Sequence, residues 1–375
     1  MEDTNQDDEA TLALETPLPP SSSSNAFIPP SIDHASTLAG ASYTYFSPVP
    51  PSLSVNPSDP SRGVPCVLGV DEAGRGPVLG PMVYGVFYLP LTHSEPLLKT
   101  AHHFDDSKVL TPSVRESLMA SLCKAGTDLH ESCGWAVSSL SARDIGANMM
   151  RPSTYNLNAQ AMDATAALVR GVLALGVNVR ELYVDTIGQP AAYQRRLERL
   201  FPTLAITVAK KADSLYPCVS AASVCAKVTR DAALGVIYDA WAREDRRRRR
   251  RDRDGDGDGD VDMDKDEKED KDEEEEEDIL FWGSGYPADA RCVAWLRQNM
   301  HPVFGWGPEC RFSWGTAKDM LEAKGGVKVE WPADDDDDGS TSRVTDFFVA
   351  SGDGEKGAAD ELGTWFGTPA GLEAF

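Results

Sequence analysis

The chain has 375 residues, of which 60 are acidic and 36 basic, so its formal net charge is −24 at pH 7. The acidic excess lies in residues 1–60, 244–278 and 319–375, whereas the rest of the chain carries 22 bases and 18 acids and is mildly basic. The low pI therefore does not exclude nucleic-acid binding by the core. No apolar stretch approaches the roughly 18 residues that span a bilayer, which argues against a membrane protein.

The cysteines indicate the compartment. Seven of them are scattered along the chain without a CxxC pair or a nearby Cys/His cluster. An odd, scattered set in a chain of this length is typical of free thiols in a reducing environment. The N-terminus also lacks the basic start and apolar centre of a signal peptide. We expect an intracellular protein without structural zinc or disulfides.

Composition divides the chain into one folded domain and three charged or polar segments. Residues 1–62 are rich in Pro and Ser and are predicted to be disordered. The folded domain is predicted at 63–323, with a charged, disordered insertion at 246–278. Residues 324–375 form an acidic tail with small apolar clusters at 344–350 and 365–366.

Patterning within the domain predicts alternating strands and helices. Strands are expected at 65–70, 82–89, 132–138, 181–184 and 204–208. Helices are expected at 112–124, 156–175, 191–200, 220–242, 287–300 and 313–323, the first of them capped by Thr111. Three early strands followed by this alternation indicate an α/β fold with a mixed sheet and helices on both faces.

The first chemical signal is a carboxylate pair at the end of a strand. Asp71 and Glu72 stand where the strand at 65–70 gives way to a glycine-rich turn. Carboxylates beside exposed backbone amides suit a divalent metal and a phosphodiester. The glycines of the turn do not have the GxGxxG spacing of a dinucleotide fold, so a nucleotide cofactor is disfavoured.

Two further acids are placed in the same way. Asp185 follows the strand at 181–184, and Asp213 follows the strand at 204–208. Because ligand sites of open α/β sheets gather beyond the carboxyl ends of the strands, all four acids are expected to converge. Four close carboxylates repel one another, and two Mg²⁺ or Mn²⁺ ions would offset that repulsion and catalyse an in-line displacement. The oxygen ligands, without His or Cys, argue against zinc.

These residues belong to a longer series of motifs that resembles the type 2 ribonuclease H family. The series is DEAGRGP at 71–77, DSK at 106–108, VDT at 184–186, KAD at 211–213, SAAS at 220–223 and GSGYP at 283–287. VFGW at 303–306 and RFSW at 311–314 resemble the eukaryotic catalytic subunits in particular, and the resemblance is to a fungal-like subunit with an extra charged insertion. Six motifs in the family's order make a chance match very improbable.

The resemblance implies a fold and an activity. The fold is the ribonuclease H-like one, a mixed central sheet flanked by helices, with a helical C-terminal extension. The activity is metal-dependent hydrolysis of RNA in RNA–DNA hybrids and incision 5′ of ribonucleotides embedded in duplex DNA. The products are 3′-hydroxyl and 5′-phosphate ends. The resemblance further implies two accessory subunits and a place in the nucleus, with no membrane contact.

The resemblance also implies roles for single residues. Asp71, Glu72, Asp185 and Asp213 match the family's metal-binding acids. Gly74, Arg75 and Gly76 match the turn that reads the ribose 2′-hydroxyl. Tyr286 matches the tyrosine that packs on the next sugar. Lys108, Lys211 and Arg311 are expected to contact phosphates.

Other interpretations stay open at this stage. A non-catalytic scaffold that binds RNA–DNA hybrids is the rival from another class, although binding alone gains nothing from four acids facing phosphates. A type 3 ribonuclease H is the enzymatic rival, but residues 1–62 do not resemble its extra N-terminal domain. The arginines at 246–251 suit a nuclear-import patch, a nucleic-acid contact or a partner of the following acids equally well.

Overall fold

The computed structural model describes residues 27–54, 63–104, 110–151, 153, 155–186, 189–254 and 282–323. The strands are β1 Tyr43–Phe46, β2 Cys66–Ala73, β3 Met82–Pro90, β4 Gly134–Leu140, β5 Val179–Asp185 and β6 Ala205–Ala209. The helices before β6 are α1 His34–Leu38, α2 Pro112–Cys123, α3 Asp128–Ser132, α4 Ala142–Met149, α5 Leu157–Ala174 and α6 Pro190–Leu200. Those after it are α7 Ala212–Leu215, α8 Pro217–Asp254, α9 Ala290–Gln298 and α10 Gly315–Glu322. A 3₁₀ turn at Leu91–His93 and a π-helix at Ser94–Ala101 follow β3.

The strands form one mixed sheet in the order β1-β4-β3-β2-β5-β6. The pairs β1–β4, β4–β3 and β3–β2 are antiparallel, whereas β5 pairs in parallel with β2, and β6 pairs in parallel with β5. The carboxyl ends of β2, β5 and β6 therefore meet at one edge of the sheet. The mixed α/β fold predicted from the sequence is confirmed.

Helices cover both faces of the sheet, and α8 packs most closely against it. Gly69 on β2 lies so close to the first turn of α8 that an added Cβ would stand 2.3 Å from the backbone of Cys218. At Gly85 on β3, an added Cβ would stand 2.6 Å from the carbonyl oxygen of Ala222. Glycine in both strands thus lets the helix backbone touch the sheet, and this contact fixes the position of α8 along β2.

The C-terminal helices pack on the far half of α8. Trp282 and Trp295 are buried there with their rings 5.0 Å apart, and Tyr238 of α8 meets Trp282 edge-on at 5.4 Å. This aromatic cluster attaches α9 and α10 to the sheet domain, which confirms the expected helical C-terminal extension. Across the described ranges, no helix is both long and apolar enough to cross a membrane.

The prediction that residues 1–62 are disordered is wrong for 27–54. In this segment β1 pairs with β4, Leu53 is buried in the sheet core, and the Ser31 hydroxyl bonds to Thr229 of α8 at 2.8 Å. The few apolar residues of this Pro- and Ser-rich stretch suffice because they add to a core that the rest of the chain has already built. Residues 1–26 lie outside the described part.

The prediction that 246–278 is disordered is wrong for 246–254. The structure continues α8 through Arg246 to Asp254. Ion pairs four residues apart, Glu244 with Arg248 and Asp245 with Arg249, support this exposed end of the helix. The rest of the insertion and the tail at 324–375 fall outside the described residues.

Candidate active site

Asp71 and Glu72 lie near the carboxyl end of strand β2 and point to opposite faces of the sheet. In the register, Asp71 lies opposite Gly85 and Glu72 opposite Tyr84. Successive strand residues alternate between faces, so Asp71 lies on the α8 side and Glu72 on the α5 side. Asp71 is only 6% exposed, and its Oδ1 accepts a bond from the Glu72 amide at 2.7 Å.

The other two acids come from the neighbouring parallel strands. Asp185 is the last residue of β5, and its Oδ1 accepts a bond of 2.8 Å from the amide of Ala212. Asp213 follows on α7, directly after β6. Lys211 adopts a left-handed conformation with φ of 56°, which turns the chain sharply from β6 into α7. This bend brings Asp213 back toward Asp185.

The four acids influence one another electrostatically. Burial raises the pKa of Asp71, and the charges of Glu72 and Asp185 raise it further. The pKa of Glu72 rises to about 7 because of burial and repulsion from Asp185 and Asp213, which outweigh the opposing Arg75 charge. Burial is also the largest cause of the raised pKa of Asp185, and Asp213 adds to it. Such a set holds excess negative charge that a cation would relieve.

The donor chemistry fits a hard divalent cation. Every acid offers carboxylate oxygens, which Mg²⁺ and Mn²⁺ prefer. As they stand, however, no three Asp, Glu, His or Cys side chains of the described residues are grouped closely enough to hold one ion. Asp71, Glu72, Asp185 and Asp213 are therefore candidate ligands of an open set rather than a closed ligand shell.

The turn after β2 is packed so tightly that it requires glycine. Gly74 has φ of +78°, and an added Cβ would stand 2.6 Å from the carbonyl oxygen of Pro81. An added Cβ on Gly76 would stand 3.3 Å from the ring of Tyr286. Gly76 therefore presents its backbone beside that ring, next to the carboxylates, as close approach to a sugar requires.

The structure places Arg311 where it cannot contact a phosphate, contrary to the role expected from the sequence. Its side chain is fully buried beneath the turn. It donates to the carbonyl oxygens of Gly74 at 2.6 Å, Arg75 at 3.0 Å and Gly80 at 2.9 and 3.1 Å. Trp314 lies over its guanidinium and donates to the Gly76 carbonyl at 2.9 Å. Arg311 thus holds the turn from the inside.

A second buried arginine joins the turn to the tyrosine loop. Arg230 of α8 is 6% exposed, donates to the Ser284 carbonyl at 2.6 Å and lies 5.5 Å from the ring centre of Tyr286. Burial and this neighbouring charge lower the pKa of Arg311 to about 9. Sequence patterning missed Arg230 because it lies within a helical run, where an arginine is usually exposed.

Of the other residues expected to contact the substrate, two lie in the described part of the chain and one lies outside it. Lys211 is exposed beside Asp213, where it is free to reach a phosphate, and Arg75 is half-buried and bonded to Asn158 of α5. Lys108 lies in 105–109, outside the described residues. Asn158 and Tyr84 were not anticipated. Tyr84 is buried beside Glu72; burial raises the pKa of its hydroxyl, the Glu72 charge raises it further, and nearby Arg75 lowers it.

Comparison with known proteins identifies a family for the chain. The family model "Ribonuclease HII" matches residues 68–244. The chain is 57% identical to the A subunit of ribonuclease H2 from Neurospora crassa over 93% of this chain and 97% of that protein. It is 41% identical to the Homo sapiens protein of the same name over 78% of this chain and 84% of the other.

A solved structure, that of ribonuclease H2 from Pyrococcus horikoshii, shares 26% identity over 68% of this chain and 97% of that one, with a TM-score of 0.47. The fungal and human relatives carry one name at identities of 41% and above over most of their length. This agreement extends well beyond the motifs at the sheet edge. The chain therefore belongs to the ribonuclease HII family and is a ribonuclease H.

Proposed function

We propose that the chain hydrolyses RNA in RNA–DNA hybrids and incises 5′ of single ribonucleotides embedded in duplex DNA. The observation that carries this proposal is the meeting of the four acids at one sheet edge with a glycine turn braced by two buried arginines. Acids alone suit many phosphoryl transfers. The rigid turn beside Tyr286 adds a place where a ribose is distinguished from a deoxyribose.

Recognition of the ribonucleotide rests on backbone groups of the turn. Arg311 holds the carbonyl oxygens of Gly74 and Arg75 and thereby orients the peptide groups that join Gly74 to Arg75 and Arg75 to Gly76. A 2′-hydroxyl both donates and accepts, so backbone amides and carbonyls are suitable partners. Tyr286, held by Arg230 against Gly76, offers a flat apolar face to the following sugar. Together they would select an RNA–DNA junction.

Hydrolysis breaks the bond between phosphorus and the 3′-oxygen on the 5′ side of the ribonucleotide. Water attacks the phosphorus, and the products are a 3′-hydroxyl and a 5′-phosphate. Two divalent cations, when bound, supply the charge that activates the water and stabilises the departing oxygen. Asp71, Glu72, Asp185 and Asp213 would hold them, and Lys211 would orient the phosphodiester.

We further propose that the chain acts as the catalytic member of a nuclear complex with two accessory subunits. The relatives are each named as one subunit of ribonuclease H2, which supports a multi-subunit assembly. In such a complex, the apolar clusters at 344–350 and 365–366 of the acidic tail are candidate docking segments, because isolated apolar residues need a partner to bury them. The role would be ribonucleotide excision and removal of RNA primers.

The test uses a DNA duplex with one embedded ribonucleotide and a matched all-DNA duplex, with Mg²⁺ and the chain co-expressed with its accessory subunits. Incision 5′ of the ribonucleotide is expected only in the first duplex. Extension of the nicked strand by a DNA polymerase would report a 3′-hydroxyl end. Activity in Mn²⁺ and its loss on chelation measure the metal requirement.

The variants Asp71→Asn and Asp213→Asn should abolish incision, whereas Asp239→Asn on the exposed side of α8 should leave it unchanged. A complex that binds the duplex tightly but never cuts it would favour the scaffold. Cutting of both duplexes at equal rates would refute ribonucleotide recognition by the turn.

A further inference from the structure

The carboxylate of Asp289 bonds back into the tyrosine loop, residues 283–287. Its Oδ2 accepts a bond from the Ser284 amide at 2.9 Å and another from the Ser284 hydroxyl at 3.0 Å. The Asp289 side chain is only 13% exposed. It fits because residue 283 is glycine: Gly283 has φ of +62°, and an added Cβ would stand 2.3 Å from Oδ2 of Asp289. The carboxylate therefore lies on the inside of the loop.

The other oxygen of the same carboxylate begins helix α9. Oδ1 of Asp289 accepts a bond from the Arg291 amide at 3.0 Å, so Asp289 is the N-cap of the helix. The Arg291 guanidinium adds bonds of 3.3 and 3.2 Å to the two oxygens. Burial by itself would raise the pKa of the Asp289 carboxyl, but the bonds from Ser284 and Arg291 outweigh it and lower the pKa. A charged carboxylate thus ties the loop to the first turn of α9.

These bonds fix the backbone on both sides of Tyr286. Before it, Ser284 is held at its amide by Asp289 and at its carbonyl oxygen by Arg230, at 2.9 and 2.6 Å. After it, the Asp289 amide donates to the Tyr286 carbonyl oxygen at 3.0 Å. Because the backbone is held on each side, the direction in which the Tyr286 ring leaves the loop is set. That direction places the ring beside Gly76, where an added Cβ would stand 3.3 Å from it.

Helix capping accounts for only one of the two oxygens of Asp289, and the bonds to Ser284 call for a second role. We propose that Asp289 is a positioning residue, which sets the Tyr286 ring for contact with the sugar that follows the ribonucleotide. The inference rests on the proposed function, because it requires Tyr286 to contact that sugar. Asp289 itself touches no substrate and acts only through the loop. The same carboxylate joins this loop to α9, so the C-terminal helices support recognition at the turn.

The test compares two substrates of the chain co-expressed with its accessory subunits. One is a DNA duplex with a single embedded ribonucleotide, where the following sugar is a deoxyribose, and the other is a uniform RNA–DNA hybrid, where it is a ribose. Asp289→Ser keeps a good N-cap residue for α9 but is too short to reach Ser284. It should slow cleavage of the embedded ribonucleotide about tenfold and that of the hybrid less than about twofold, because only the first substrate presents a deoxyribose to the displaced ring.

Asp289→Asn keeps the length of the side chain and one carbonyl oxygen. The ratio of the two cleavage rates should therefore fall between those of the serine variant and the natural chain. The asparagine variant also tests the inference if the serine variant folds poorly. In a chain that already carries Tyr286→Ala, Asp289→Ser should not change the ratio further, because both substitutions act through the same ring.

Thr127→Ala is the matched control, since it removes the N-cap of α3, whose hydroxyl accepts a bond from the His130 amide at 3.2 Å. It should reduce thermal stability without changing the ratio of the two rates. An unchanged ratio in both Asp289 variants would overturn the inference, and so would an equal change in Thr127→Ala or additive effects in the double variant. Tyr286→Ala separates the two claims. If it leaves the ratio unchanged, sugar recognition by Tyr286 in the proposed function fails, whereas a changed ratio with an unaffected Asp289→Ser refutes only the role of Asp289.

Discussion

Arg311→Met distinguishes an arginine that supports the turn from one that contacts phosphate. The substitution keeps much of the apolar side-chain volume but removes every donor. The carbonyl oxygens of Gly74, Arg75 and Gly80 then lose the partners they have at 2.6 to 3.1 Å. Because these carbonyls form the turn beside the acids, both stability and activity should fall.

The magnitude follows from the three carbonyl groups. Each acceptor left without its donor costs about 1–2 kcal/mol, which gives about 3–6 kcal/mol in total. Removing the buried charge returns part of this cost, because the lowered pKa of Arg311 shows that burial disfavours its charged form. We expect a net loss of about 3 kcal/mol in the free energy of unfolding, which lowers the urea midpoint by about 1 M for a domain of this size.

The assay is urea unfolding followed by tryptophan fluorescence, combined with hybrid binding at several salt concentrations. Arg297→Met on α9 is the control, because this exposed arginine should cost less than about 0.5 kcal/mol. An arginine that contacts phosphate would behave differently: stability would be unchanged, and the slope of log affinity against log salt would fall by about one. That pattern in Arg311→Met would refute the supporting role.

Four further predictions concern the site and its packing. Tyr84→Phe removes a hydroxyl that interacts electrostatically with Glu72 and Arg75, so cleavage should slow about threefold to tenfold while the thermal midpoint stays nearly constant. Because Glu72 binds its proton more tightly in the folded chain, with a pKa of about 7 against an ordinary 4.5, the metal-free protein should lose stability as pH rises from about 4.5 to 7. Calorimetry should also show that Mg²⁺ binding strengthens over pH 6–8 and releases protons, and a flat pH profile would contradict this. Gly69→Ala should destabilise the fold by about 2–4 kcal/mol in chemical unfolding, because its Cβ would collide with the α8 backbone, whereas Gly146→Ala in open space on α4 should be neutral or stabilising.

The acids were predictable because their positions follow from a general rule. Asp71 and Asp185 lie at the carboxyl ends of apolar strands and Asp213 follows shortly after one, and parallel strands end at a common edge. Arg311 could not be assigned in the same way. A guanidinium suits a phosphate and three backbone carbonyls equally well, and only the three-dimensional path of the turn shows that its carbonyls point inward.

The N-terminal segment shows a different limit of sequence patterning. Tyr43–Phe46 is too short, and too closely surrounded by Pro and Ser, to stand out as a strand. Its stability comes from β4, whose residues lie far along the chain. Local composition indicates whether a segment can become ordered by itself, whereas Tyr43–Phe46 is ordered by its pairing with the distant strand β4. The arginine run at the end of α8 was misjudged for a similar reason, since its acidic partners precede it by four residues.

The pairing of β1 with β4 has a consequence for the order in which the molecule assembles during synthesis. The amide of Trp135 bonds to the Ser47 hydroxyl, 88 positions earlier in the chain. The segment that contains β1 is synthesised before β4 and cannot pair until β4 has been made, so β1 is added to the sheet late. Until then the edge of β4 is open to pairing with other chains. A protein shortened to begin at residue 63 would keep that open edge permanently and should aggregate at concentrations at which the full chain stays in solution.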